Sequence, residues 1–275
     1  MTAYEKLIKR QAESKSILCV GLDTDNAKIP DFLRGNISGI LDFNKAIIDA
    51  TSDLVCAYKL NFAFYEQYGA KGFEILKKTF EAIPADIFTI ADAKRGDIGN
   101  TSAAYAKAIF DYFGADSITL HAYMGYDSVE PFLRHKDKMA FILALTSNKG
   151  SGDFQRELTA GEPLYKMVIR KSAEWADRKS LGYVIGATHP NELRSVREII
   201  PDRTLLIPGI GAQGGDIDSV LAANGSGAAI INVSRDIIYT SHEKDFSEKA
   251  RERAEYYKKI FMSSGGYAYM NTETG

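Results

Sequence analysis

Short apolar runs rich in β-branched residues recur along the chain, and longer stretches with apolar residues three and four positions apart lie between them. The runs at 17–22, 54–60, 87–91, 117–121, 140–145, 182–187, 204–208 and 228–233 are apolar at successive positions, the pattern of strands covered on both faces. The helical period predicts helices over 39–51, 65–83, 101–113, 128–135, 163–179, 190–200 and 215–223, and a last one over 246–261. Eight strands, each followed by a helix at a spacing of roughly 30 residues, form the pattern of a (β/α)8 TIM barrel. An open doubly wound sheet shares the alternation, though usually with fewer strands at this length. A further helix, 3–14, precedes the first strand and is expected to close the bottom of the barrel.

No Pro/Gly/Ser-rich linker or shift of composition divides the 275 residues, which predicts a single α/β domain. One connection breaks the rhythm. Residues 147–161 are polar, carry three glycines and are long for a strand-to-helix loop, which marks a functional or mobile segment unless it is a solvated insertion. Residues 263–275, rich in Ser, Gly and Thr, have the composition of a disordered tail.

Hydrophobic residues make up 45% of the chain and charged residues 25%, enough for a sizeable core. A formal net charge of −2, with no long basic run, argues against a nucleic-acid partner. No run reaches the ~18 apolar residues of a membrane span. The first residues are polar and helical, unlike a signal peptide, so a cytoplasmic protein is expected. Cys19 and Cys56 sit inside apolar runs without metal-ligand spacing and read as small core residues.

In such a barrel the active site lies at the carboxyl ends of the strands. Those ends carry Asp23, then Lys59 and Asn61, Asp92 and Lys94, His121, Thr146 and Ser147, and Thr188 and His189 for the first six strands. The seventh runs into Pro208-Gly209-Ile210-Gly211-Ala212-Gln213-Gly214-Gly215, and the eighth into Ser234-Arg235. Most informative is Asp92-Ala93-Lys94-Arg95-Gly96-Asp97-Ile98, which falls where the third strand is expected to end. Strand alternation points Asp92 and Lys94 the same way. Asp97, in the connection, can lean over the site or reach a neighbouring chain. Charges taken out of water gain little stability even when paired, so the row Asp23, Lys59, Asp92 and Lys94 belongs to a site that handles charge.

The glycines after the seventh strand let the backbone around Gly211 and Gly214 close on an anion, and the next helix adds its dipole. Gln213 offers an amide donor and Arg235 a bidentate grip. These two loops are a frequent phosphate site in barrels. The pattern describes a phosphorylated substrate whose reacting end meets a carboxylate–lysine array. Two interleaved lysines disfavour a metal cation there. His121 and His189 stand at different strand ends and read as wall or capping residues. Ser147 has no neighbouring base and reads as a hydrogen-bonding group.

With these residues the chain resembles the orotidine 5′-phosphate decarboxylase family over nearly its whole length. Residues 92–98 match the family's D-x-K-x-x-D-I signature. Gly21-Leu22-Asp23, Tyr58-Lys59, Leu145-Thr146-Ser147, Pro208-Gly209-Ile210-Gly211, Gln213 and Arg235 support it. The Lys-Arg-Gly form of the motif and the chain length are similar to the longer, bacterial-type branch. The resemblance implies decarboxylation of orotidine 5′-phosphate (OMP) to UMP in pyrimidine biosynthesis, without cofactor or metal. It implies a homodimer in which Asp97 and Thr101 enter the partner's site. It assigns Lys59, Asp92, Lys94 and the partner's Asp97 to the charged array, and Asp23 and the partner's Thr101 to ribose hydroxyls. Ser147 falls to the pyrimidine, and Gln213 and Arg235 to the phosphate.

The chemistry suits those residues. Loss of CO2 from C6 leaves a carbanion in the ring plane, beyond π delocalisation, so its stabilisation must be electrostatic and preorganised. Lys94 can supply that charge and then a proton. Two other readings stay open. Sugar-phosphate barrels that carry D-x-K-x-x-D, such as hexulose phosphate synthase, bind Mg2+ and lose activity to a chelator. A non-catalytic nucleotide-binding barrel would hold UMP without turnover.

Overall fold

In the structure, a computed structural model describing residues 1–211 and 216–263, eight parallel strands close on themselves. They are β1 (Leu18–Gly21), β2 (Ala57–Asn61), β3 (Phe88–Arg95), β4 (Ser117–Leu120), β5 (Met139–Leu145), β6 (Leu181–Ile185), β7 (Leu205–Pro208) and β8 (Ala229–Val233). Each pairs with its sequence neighbours, and β8 pairs with β1 through Leu18 and Ile231. Closure rules out the open doubly wound sheet. The main helices are α1 (Ala3–Ser14), α2 (Gly39–Thr51), α3 (Gly69–Ala82), α4 (Gly99–Lys107), α5 (Tyr126–Leu133), α6 (Leu164–Ala173), α7 (Pro190–Ile199), α8 (Ile217–Asn224) and α9 (Phe246–Ser263). No helix among the described residues is long and apolar enough to cross a membrane.

The helices cover the strands as their sequence spacing requires. In α2, Ile40, Phe43, Ile47 and Ile48 are buried on one face, three to four residues apart. Beneath the strands, Ala3, Tyr4 and Leu7 of α1 join Cys19, Cys56, Phe88, Phe141 and Leu206 in one buried cluster. Lys6 pairs with Asp116 at 2.7 Å, and the Gln11 amide donates to the Ala229 carbonyl at 2.8 Å. This plug fills the amino-terminal mouth of the barrel and leaves the carboxyl ends as the open face. Both cysteines are buried free thiols.

Three departures from the sequence reading have local causes. The single helix expected over 65–83 is broken, because Gly69 has φ +59° and a separate turn, Ala63–Glu66, precedes it. The helix expected over 163–179 stops at Ala173, and the Asp177 side chain instead accepts from the Lys179 and Ser180 N–H groups. Residues 147–161 are not featureless. They hold a short 3-10 turn, Lys149–Gly152, and the first strand of a small hairpin pairing Leu158–Thr159 with Glu162–Pro163. Of the tail expected at 263–275, Ser263 is instead the last residue of α9, and 264–275 lie outside the described residues.

Candidate active site

The third strand was expected to end at Ala91, but β3 continues through Arg95 and so carries the charged motif inside the barrel mouth. Its pairing with β4 is irregular between Ala91 and Arg95. Lys94 sits there at φ +48°, a region that side chains other than glycine's rarely occupy. Polarity hid the extension. Each charge has a partner, Asp92 and Lys94 in one another and Arg95 in Glu66, so charge does not terminate the strand.

Asp92 is the hub. Its Oδ1 accepts from the Lys94 ammonium at 2.6 Å and from the Thr119 hydroxyl at 3.0 Å, and its Oδ2 accepts from Lys59 at 3.0 Å. Lys59 also donates to Asp23 Oδ1 at 3.2 Å. The row Asp23–Lys59–Asp92–Lys94 is therefore continuous, with alternating signs. Lys59 is 4% exposed and Asp92 8%, whereas the Lys94 side chain is 43% exposed and faces the cleft. Burial opposes charge on Lys59, but Asp23 and Asp92 outweigh it and hold the ammonium well above the usual lysine range. Burial likewise pushes the Asp92 carboxyl up, yet Lys59 and Lys94 win and hold it well below the usual carboxylate range. Both groups are thus fixed as ions before any ligand arrives.

The first strand is steadied from below. Asn44 accepts from Thr24 and donates to Tyr65 and Thr79, while the Tyr65 hydroxyl donates to the Leu22 carbonyl at 2.8 Å. This buried network fixes the strand end that presents Asp23.

Ser147, Pro208, Gly209, Ser234 and Arg235 line the other side of the same cleft. Ser147 follows Thr146, which Gln155 clamps from both directions: Thr146 N–H donates to its Oε1 at 2.8 Å, and its Nε2 donates to Thr146 Oγ1 at 2.9 Å. Arg235 opens a single turn, Arg235–Ile238, after β8. Gly211 adopts φ +81° beside it. Gln213 and Gly214 lie outside the described residues, as does Gly215, where the next helix was expected to begin; α8 starts at Ile217.

Asp97 and Thr101 do not join this cleft within one chain. Asp97 is half-buried, accepting from the Ile98 N–H at 2.8 Å, and Thr101 is exposed on α4. His121 lines a separate neighbouring cavity, its imidazole held below the usual histidine range by burial and by the Lys94 charge. His189 precedes α7 as its cap residue and also lies outside the cleft. Thr119 and Asn232 line the cleft without having been singled out from sequence. Each is a polar residue inside an apolar strand run, two positions before a strand-end residue already noted, His121 and Ser234. Strand periodicity puts them on the same face. Among the described residues no group of three or more His, Cys, Asp or Glu side chains is arranged to hold a metal ion.

Residues 16–250 match the family model described as Orotidine 5′-phosphate decarboxylase / HUMPS family. A relative from Flavobacterium johnsoniae is 51% identical over 255 residues, 91% of this chain and 93% of its own length. Another, from Herpetosiphon aurantiacus, is 49% identical over 253 residues, 91% of this chain and 94% of its own. Both are named orotidine 5′-phosphate decarboxylase. Among solved structures, the Leishmania donovani OMP decarboxylase is similar with a TM-score of 0.81 at 36% identity, covering 94% of this chain and 98% of that one.

Proposed function

Since this chain belongs to the orotidine 5′-phosphate decarboxylase family and is a carboxy-lyase of that kind, we propose that Lys94 stabilises and then protonates the C6 carbanion as OMP becomes UMP. The observation that carries this reading is one carboxylate, Asp92, shared by two ammonium groups, Lys59 at 3.0 Å and Lys94 at 2.6 Å.

In the proposed step the bond from C6 to the carboxylate carbon breaks, CO2 departs and the electron pair stays on C6. The Lys94 ammonium, already charged and held by Asp92, meets that pair without solvent reorganisation. It then gives C6 a proton, and the amine regains one from water at its exposed side. Asp92 lies against the position of the departing carboxylate, so it repels the ground state and is relieved as CO2 leaves. Lys59, bound to Asp23 and Asp92, keeps both carboxylates in place. Asp23 is assigned to a ribose hydroxyl, Ser147 to the pyrimidine, and Arg235 with Gly211, Gln213 and Gly214 to the phosphate.

A homodimer completes the site in this reading, with Asp97 and Thr101 acting across the interface. Supporting it, both residues lie outside their own cleft, with exposed Ile98 and Tyr105 close by in the chain, and Ser102 of α4 bonds to the Ser128 carbonyl of α5, the helix that carries exposed Tyr126. Apolar surface of that kind is what a partner covers. The test is the absorbance of OMP over time with purified protein, with and without EDTA. Loss of OMP at the same rate in both supports the proposal. Turnover of sugar phosphates that EDTA abolishes, with OMP untouched, would overturn it in favour of the Mg2+-dependent barrels.

A further inference from the structure

Asp236 follows Arg235 in the same short turn, but its side chain faces the opposite way, into α9. Its Oδ2 accepts from the Tyr257 hydroxyl at 2.5 Å, from Arg253 Nε at 2.8 Å and from Arg253 Nη2 at 2.6 Å. Tyr257 is 1% exposed, and the Arg253 guanidinium lies over its ring, 5.1 Å from the centroid. Burial and then the hydrogen bond to Asp236 raise the Tyr257 hydroxyl well above its usual range, so it stays a protonated donor. The Arg235 guanidinium has no ion pair among the described residues, and its direction depends on the turn that carries it.

The second part of the proposed phosphate grip rests on the same two residues. A Cβ on Gly211 would lie 2.9 Å from the Tyr257 hydroxyl and 3.1 Å from Asp236 Cβ. The glycine backbone is therefore seated directly on the Asp236–Tyr257 pair. At the far end of the turn, the Tyr239 hydroxyl donates to the Asp23 carbonyl at 3.1 Å, which ties the turn to the strand that presents Asp23.

We propose that Asp236 and Tyr257, with Arg253, form a positioning unit by which α9 sets the phosphate grip of Arg235 and the Gly211 backbone. This rests on the assignment of Arg235 to the phosphate. The unit touches no substrate atom. It acts by restricting where the guanidinium and the glycine N–H can point before the ligand arrives, which favours binding by preorganisation.

The experiment compares affinities for UMP and for uridine, which lacks the phosphate, by competition against OMP turnover in the full-length protein. The variants are Tyr257→Phe, Asp236→Asn and Arg235→Ala. Tyr257→Phe keeps the buried ring and removes only the hydroxyl, so it carries the test alone if Asp236→Asn fails to fold. The expected result is UMP binding weakened about fivefold to tenfold in Tyr257→Phe and Asp236→Asn, uridine changed less than about twofold, and no further loss when Tyr257→Phe is added to Arg235→Ala. A merely structural role would lower both affinities together. Parallel losses, or an unchanged UMP-to-uridine ratio in Tyr257→Phe while Arg235→Ala lowers it, overturn the positioning unit alone. An unchanged ratio in Arg235→Ala overturns the phosphate assignment and the unit with it.

Discussion

The Thr119 hydroxyl donates to Asp92 Oδ1 at 3.0 Å and accepts from the Lys94 backbone N–H at 3.0 Å. One buried side chain, 1% exposed, thus holds both the carboxylate at the centre of the array and the backbone of the lysine beside it. The strained Lys94 conformation persists because its surroundings satisfy it.

Thr119→Val keeps the shape and removes the hydroxyl, leaving the Lys94 N–H unpaired. Turnover at saturating OMP is expected to fall about tenfold, with KM changed less than about threefold, and thermal stability to drop by roughly 1–3 kcal/mol. Thr119→Ser should restore most of the rate. Steady-state kinetics of the two variants check this, and an unchanged rate in Thr119→Val would discard the role.

Lys94→Ala removes both the stabilising charge and the proton donor. Turnover should fall by at least about 10⁴-fold, the combined scale of one preorganised electrostatic group and one general acid. UMP affinity should fall far less, within about tenfold. Single-turnover kinetics and UMP titration separate the two quantities, and near-normal turnover is incompatible with the proposed step.

The buried pair gives stability a defined pH dependence. The Asp92 carboxyl is held below its unfolded value of about 3.9, so its contribution is complete above that pH and is lost as pH falls through the folded value. Lys59 is held above its unfolded value of about 10.4, so its contribution is complete below that pH and is lost as pH rises through the folded value. Between roughly pH 5 and 9 the pair therefore adds no slope. Urea midpoints of the parent and Asp92→Asn, measured from pH 2 to 7, should differ by a constant above about pH 5 and converge below about pH 4. Curves that stay parallel to the acid limit would remove Asp92 as the source.

If Asp97 serves the partner's site, Lys94→Ala and Asp97→Ala complement each other. A mixed dimer carries one site with both residues intact. Equal mixing with free exchange gives half mixed dimers, so about a quarter of the parent activity should return from two nearly inactive samples. Activity no greater than the sum of the separate samples, under conditions where exchange is seen by mass, would argue that Asp97 acts within its own chain.

Much of the site was legible in sequence because barrel chemistry sits at strand ends and strands are marked by burial. Asp23, Asp92, Lys94, Ser147 and Arg235 come after an apolar run and Lys59 stands one place before the end of one, and the structure gathers all six around one cleft. Thr119 and Asn232 were missed because an uncharged polar residue within an apolar run, unlike the charged Lys59, gives no local sign of what it will face. The register that sets Ser117 beside Ile90 and Ile118 beside Ala91 brings Thr119 up to Asp92.

The amino-acid sequence by itself determined the succession of strands and helices, the barrel they form and the charged row at its mouth, since each follows from periodicity and side-chain chemistry over a few residues. Only the tertiary structure decided that β3 runs on through Arg95, that Thr119 joins Asp92 to Lys94, and that Tyr257 reaches Asp236 from a helix twenty-one positions along the chain. Those contacts depend on register, closure and helix packing. Their energies are set by groups distant in sequence, and no local pattern encodes them.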